Sequence, residues 1–405
     1  MIKNYLHLNQ LVTLKGAHEK DGRFLVPSDL DIIEDGAIVF DEEKIIWVGK
    51  TSNLPSAYLA HKTYNLSGFV LTPEIVDSHS HLIFGGDRAQ EYVDRLNGTP
   101  YEEIAKRGGG ILFTMKETQS HSSNELFQLA VKRVETIFSY GIGTIEVKSG
   151  YGLSYAKEKE LTLIIDRLKK HFSPKIQIFN TYLAAHDIPR SFSTPSAYMN
   201  EVVIPLLEEL APLKVIDAID IFHEKNYFTT ENCRQLFSKA QDLGIPRKIH
   251  ADELNDNSGA KLASEFSCLS ADHLLKISDE GIKILSTSKT VATLLPGTAF
   301  FLGKPLAPAR KMLDAGVKVA LASDYNPGSC HCDNLMLVAS MAAAQLKLNQ
   351  AELWCGITHN ASHSLGKQEQ GVLVPGMKPR FSLFKTNSLA DITYHWGKNF
   401  SVSLP

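Results

Sequence analysis

The segment Val76-Asp77-Ser78-His79-Ser80-His81 places two imidazoles one residue apart. On an extended strand alternate side chains share a face, so His79 and His81 can turn toward one ion. Imidazole suits zinc, iron and nickel, and it binds zinc at about 2.0–2.1 Å. A lone pair of this kind also occurs on solvent-facing strands and identifies nothing alone. Three further groups have the same character. His250 lies in Lys248-Ile249-His250-Ala251-Asp252-Glu253, His273 in Ser270-Ala271-Asp272-His273, and Asp324 in Ala322-Ser323-Asp324. Each ends a short apolar run, so each is expected at the end of a strand. An isolated histidine is usually structural. Separate strand ends that all bear ligand-type residues are harder to explain that way.

The chemistry expected of such a set is hydrolysis at a single metal. His79, His81, His250 and Asp324 supply four ligands, and a catalytic site keeps one further position for water. A metal lowers the pKa of that water toward about 7, which provides hydroxide at neutral pH. A proton must then reach the leaving group. Glu253, three residues past His250, is placed on a loop from which its carboxylate can reach the water. His273 could hold or deprotonate the same water without being a ligand. Read alone, Glu253 is equally an ordinary solvated carboxylate; its neighbours give it the sharper role.

These groups need a scaffold that brings distant strand ends together. Strand-like runs recur at Ile75–Val76, Thr144–Lys148, Ile176–Tyr182, Val215–Phe222, Arg247–His250, Cys268–His273, Val291–Leu295 and Val317–Ser323. Helical patterning fills the gaps, as in Leu126–Phe138, Lys157–Lys170 and Thr230–Leu243. Strands alternating with helices imply α/β architecture, a (β/α)₈ TIM-type barrel whose strand C-termini carry the site. A doubly wound open sheet is the alternative. No G-x-G-x-x-G opens a helix after the first strand, and Gly108-Gly109-Gly110 follows a helix-like stretch. At the start, Ala37–Phe40 and Ile45–Val48 flank a polar turn; at the end, Gly371–Val374 and Phe381–Phe384 flank Pro375-Gly376. Both ends are expected to meet in a small composite β-sandwich domain, residues 1–67 with 366–405, around a barrel of residues 68–365.

The 405 residues, 43% hydrophobic and 21% charged, suit a soluble enzyme-sized chain with a large core. A net charge of −3 with mixed signs gives no footprint for nucleic acid or a membrane surface. Lys3, Asn4, His7, Asn9 and Gln10 interrupt the first residues, so no signal-peptide core is read there. The apolar run near 291–302 is broken by Pro296 and Gly297, too short to span a bilayer. The cytoplasm is the expected compartment. Five scattered cysteines argue against a disulfide framework, and Cys330-His331-Cys332 lacks the second ligand pair of a structural zinc site.

Longer motifs make the resemblance specific. Asp77-Ser78-His79-Ser80-His81-Leu82-Ile83-Phe84-Gly85-Gly86-Asp87-Arg88 and Glu146-Val147-Lys148-Ser149-Gly150-Tyr151-Gly152-Leu153 resemble the imidazolonepropionase family of the amidohydrolase superfamily. Ala185-His186, His250-Ala251-Asp252-Glu253, Ala271-Asp272-His273 and Asp324-Tyr325-Asn326-Pro327-Gly328-Ser329 continue it, in order, from about Gly68 to Asn334. The resemblance implies opening of the ring of 4-imidazolone-5-propanoate to N-formimidoyl-L-glutamate, a step of histidine breakdown. It implies that Arg88 pairs with the propanoate, where a guanidinium fork suits a carboxylate. It further implies that Tyr151, His186 and Ser329 contact substrate, that Asn326 and Gly328 hold product, and that Tyr101 helps bind the carboxylate.

Two related readings compete: another cyclic amidohydrolase or deaminase of the superfamily, and a barrel that binds metal without catalysis. Arg88 distinguishes the first, because cytosine-like rings lack a propanoate. In related barrels a carbamylated lysine on the fourth strand bridges two metals. Here Lys148 falls on the second strand and the fourth ends in His223-Glu224, so one divalent or trivalent metal is expected, zinc or iron. The partners are then a small-molecule substrate and, as is common in the superfamily, a second copy in a homodimer. Met377-Lys378-Pro379-Arg380-Phe381 departs from the superfamily pattern, with Pro379 removing a donor at the last strand's edge.

Overall fold

A computed structural model describes residues 1–99, 103 and 107–405. It begins with five strands, β1 (Lys3–Val12), β2 (Ile32–Phe40), β3 (Ile45–Lys50), β4 (Lys62–Asn65) and β5 (Val70–Pro73). The middle supplies β6 (Ile75–Asp77), β7 (Ile142–Lys148), β8 (Gln177–Ala185) and β9 (Ala218–His223), then β10 (Lys248–Ala251), β11 (Ser270–His273), β12 (Val291–Leu294) and β13 (Val319–Leu321). The chain ends with β14 (Phe381–Phe384) and β15 (Ser401–Val402).

Strands β6 to β13 form one parallel sheet in chain order. Its two edges meet past their C-terminal ends. Asp324 N–H donates to His79 O at 3.0 Å, and His81 N–H donates to Tyr325 O at 2.9 Å. Asp77 adds a side-chain tie, accepting from Ser323 N–H at 3.0 Å and Ser323 Oγ at 2.6 Å. The sheet is therefore a closed (β/α)₈ barrel rather than an open doubly wound one, and its closure sits in the segments that carry the candidate ligands.

Alternation along each strand decides what points inward. On β7, Ile145 and Val147 join the apolar layer under the helices, while Glu146 and Lys148 are equally buried but polar. On β10, Ile249 and Ala251 join that layer, and Lys248 and His250 alternate with them. Val76, Phe179, Ala218, Val291 and Ala320 close the opposite end against Ala361 and Leu365. The helices start where local chemistry supplies a cap. Ser122 accepts from Glu125 N–H while Glu125 accepts from Ser122 N–H, starting the helix Ser123–Ser139.

The mixed sheet has the order β15-β14-β5-β1-β2-β3, with β4 beside β1, so both chain ends build it. Tyr5 from the start and Phe381 from the end both pack on Phe40, each with ring centroids 4.9 Å apart. Aromatic pairs of this kind contribute about 0.5–1.5 kcal/mol beyond their buried area. Gly371–Val374, expected as a strand, is irregular. Gly371 adopts φ +92° with its Cα face against His359, a left-handed conformation outside the range of a strand. Pro379 lies outside the ladder, because β14 pairs with β5 only from Phe381 onward.

Candidate metal centre

His79 and His81 follow β6, His250 lies in β10, His273 ends β11 and Asp324 follows β13, and none is more than 3% exposed. Burial pushes His79 and His81 well below the ordinary imidazole range, with neighbouring Lys148 and the other histidines adding to it. Both rings are therefore neutral at pH 7, the form that offers a lone pair to a metal. Asp324 and His273 adopt left-handed φ values of +51° and +76°. Such residues cost about 1–3 kcal/mol each and persist where surrounding structure over-determines them.

The ring nitrogens converge. His79 Nε2 lies 3.2 Å from His81 Nε2, and Asp324 Oδ1 stands 3.6 Å from the first and 3.5 Å from the second. Two ligands about 2.05 Å from one tetrahedral ion would be about 3.3 Å apart. His250 Nε2 is buried with no hydrogen-bond partner. The donor set therefore fits a metal ion. Among the described residues, overlapping triads bring His273 and His186 to the same cluster: His79, His250 and His273 form one, and His81, His186 and His250 another.

Carboxylates behind the histidines orient them. Asp272 Oδ2 lies 2.7 Å from His79 Nδ1, and Asp220 Oδ2 lies 3.0 Å from His250 Nδ1. The Asp272 hydrogen bond favours the proton on the far side of the His79 ring and leaves its Nε2 free, while Asp220 holds a negative charge against His250. Thr298 Oγ1 donates to Asp324 Oδ2 at 2.6 Å. Asp220, Asp272 and Thr298 are not singled out by the sequence as supports for these side chains. Asp272 lies within a quoted motif, beside His273; nothing local marks Asp220 or Thr298. Lys148 is on the second barrel strand, as counted from sequence, with its Nζ 2.7 Å from Asp220 Oδ2.

Glu253 lies on the loop after β10, with its Oε2 3.7 Å from His273 Nε2. Its side chain is 18% exposed, so it is no ordinary solvated carboxylate. Tyr151 and His186 flank His81, the latter stacked at 4.9 Å with planes 17° apart. Burial pushes His186 down to about 3, with His250 adding to the shift, and the same cause raises the Tyr151 hydroxyl. His186 Nδ1 stands 3.2 Å from Gly150 O.

Arg88 precedes the helix Ala89–Leu96 and is braced by Glu91, whose Oε2 lies 2.9 Å from Nε and 2.7 Å from Nη2. Its Nη1 rests against Gly328, where an added Cβ would lie 2.0 Å away. Arg88 and the loop after β13 are thus brought together from opposite ends of the barrel sequence. In that loop, Asn326 Oδ1 accepts from the N–H groups of Gly328 and Ser329 at 2.8 Å each, and its Nδ2 donates to Asp324 O at 2.7 Å. The Asn326 amide shapes the loop around Ser329. Tyr101 lies outside the described residues. Cys330 is buried and Cys332 half-buried, neither in a disulfide.

Curated relatives named imidazolonepropionase are 38% identical to this chain. One from Bacillus thuringiensis (strain Al Hakam) aligns over 97% of the chain and 92% of its own length; one from Paracoccus denitrificans (strain Pd 1222) aligns over 97% and 96%. No protein-family model matches. Among solved structures, an adenosine deaminase from Xanthomonas campestris with bound zinc superposes with a TM-score of 0.73 at 13% identity, covering 98% of this chain and 90% of that one. An atrazine chlorohydrolase from Arthrobacter aurescens complexed with zinc gives 0.66 at 15% identity, covering 96% and 88%. At such identities the structural likeness speaks for the fold alone.

Proposed function

The chain belongs to the imidazolonepropionase family, and we propose that it acts as that name states, opening the ring of 4-imidazolone-5-propanoate at its cyclic amide C–N bond to give N-formimidoyl-L-glutamate in histidine breakdown. Similarity through 97% of the chain to relatives of that name carries the reading. The convergence of His79, His81, His250 and Asp324 supports it chemically.

In this proposal those four residues hold one divalent or trivalent ion, zinc or iron. When bound, such an ion polarises the ring carbonyl and lowers the pKa of a nearby water. The residues of the chain do the rest. Glu253 takes a proton from the attacking water and delivers one to the ring nitrogen as the C–N bond breaks. The water oxygen stays on the former carbonyl carbon, which becomes the new carboxylate. His273, beside Glu253, holds the same water on line and can share its proton.

Arg88 pairs with the propanoate through the Nη1 edge that Glu91 leaves free. Tyr101 assists at that carboxylate. Tyr151, His186 and Ser329 line the ring, while Asn326 and Gly328 form the loop that retains product. No helix among the described residues is long and apolar enough to cross a membrane. We assign the reaction to the cytoplasm, as a dimer of identical chains, as part of the same proposal.

The direct test is metal analysis of purified protein with a spectrophotometric assay on enzymatically generated imidazolone propanoate. Stoichiometric metal with loss of the substrate absorbance is expected. Metal-loaded protein that leaves this substrate intact would remove the assignment.

A further inference from the structure

Beneath the histidines lies a second polar layer that none of the steps above employs. Glu146 on β7, Asp220 on β9 and Asp272 on β11 have no solvent exposure, and all three meet the ammonium groups of two lysines that are themselves fully buried. Lys148 Nζ stands 2.7 Å from Asp220 Oδ2, 3.0 Å from Glu146 Oε2 and 3.7 Å from Asp272 Oδ2. Lys248 Nζ stands 2.7 Å from Glu146 Oε2, 2.7 Å from the Ser78 carbonyl and 3.6 Å from Asp272 Oδ2.

The surroundings of Lys248 are those of a hard cation. Two carboxylates and a backbone carbonyl approach one positive centre, the oxygen-only donor set that magnesium or manganese takes. Asp272 Oδ1 is buried with no hydrogen-bond partner. His79, Glu146 and Asp272 place one ligand-type atom each within 4.8 Å of one another, so the layer directly behind His79 has the dimensions of a metal site. Buried carboxylates repel one another, and cations in contact offset that repulsion. Here both cations belong to the chain.

We infer that Lys148 and Lys248 are the resident cations of a second site, filling it so that the centre holds one metal ion while Asp220 and Asp272 stay in position behind His250 and His79. The inference rests on the metal-centre reading above. It explains why a barrel with three carboxylates under its histidines needs no second ion: the ammonium groups already occupy the oxygen-lined positions.

The test substitutes one ammonium by an uncharged chain of similar length, Lys248→Met, in the full-length protein. Protein loaded with one equivalent of zinc is titrated with manganese, which does not displace zinc from nitrogen ligands. Manganese binding is read from loss of the free-ion EPR signal, and thermal unfolding is followed in parallel. Wild type is expected to bind no manganese. Lys248→Met is expected to bind one equivalent and to unfold at a higher temperature when manganese is present. The double variant Lys248→Met/Glu146→Gln removes one charge of each sign and is expected to lose that equivalent again.

Manganese bound by wild type, or none bound by Lys248→Met, overturns the inference. If Lys248→Met does not fold unaided, refolding with and without manganese decides: rescue supports the second site, and no rescue of it or of Lys148→Met overturns it. Failure of wild type to take even one zinc would instead remove the underlying metal centre, so the two failures are distinguishable.

Discussion

Asp272 Oδ2 stands 2.7 Å from His79 Nδ1, and neither side chain reaches solvent. The carboxylate accepts a hydrogen bond from Nδ1–H and so aims the Nε2 lone pair at the space shared with His81 and Asp324. Such supporting partners typically account for 10–100-fold in metal affinity. Asp272→Ala should weaken zinc binding by about that factor, measured by competition with a chromophoric chelator. An unchanged affinity would show that His79 is aligned by packing alone.

Glu253 is not among the proposed ligands, so its loss should separate chemistry from metal content. Glu253→Gln keeps the shape and removes the base. A drop in kcat of about 10²–10⁴-fold is expected, with zinc remaining stoichiometric. Retained turnover would assign proton transfer elsewhere, with His273 the next group to substitute.

The contact between Arg88 and Gly328 gives a test of substrate recognition that does not remove the arginine. A methyl group at residue 328 would lie 2.0 Å from Arg88 Nη1, and the flexible guanidinium must move away. Gly328→Ala should leave thermal stability nearly unchanged and raise KM for imidazolone propanoate, in the same direction as Arg88→Ala. The latter loses a charge-assisted pair and should raise KM by about 10–100-fold. Equal KM values in wild type and both variants would place the propanoate elsewhere.

A pH dependence of stability is expected from the opposite end of the barrel. His363 and His359 lie on a helix at its floor, with His18, Lys318 and Asp21 near them. Burial pushes His363 down to about 4 and His359 well below its ordinary range, and Lys318 and His363 respectively add to those shifts. The unfolded chain protonates such rings near about 6.5, so between that value and about 4 it binds more protons than the folded chain. The stability is fully present above about pH 6.5 and is lost as pH falls toward 4. Urea unfolding at pH 7 and pH 5 should show this loss, and His363→Gln should reduce it. A slope unaltered by the substitution would exclude His363 as its source.

What the chain reveals by itself is what depends on near neighbours. Strand–helix alternation, the pairing of His79 with His81, and the offset from His250 to Glu253 are spacings of a few residues, so the barrel and the strand ends that carry these residues are legible from the sequence. The exception is Gly371–Val374, which reads as a strand until its packing on His359 is known. Tertiary structure alone decides what stands behind each candidate ligand. Asp272 is 193 residues from His79, Lys248 is 102 from Glu146, and Lys148 is 72 from Asp220. Any of these could have been an unremarkable strand residue. A closed parallel barrel turns alternate side chains of every strand toward one axis, and low-polarity surroundings then force each buried charge to find a partner there. That requirement, rather than any motif, joins two lysines and three carboxylates beneath the histidines.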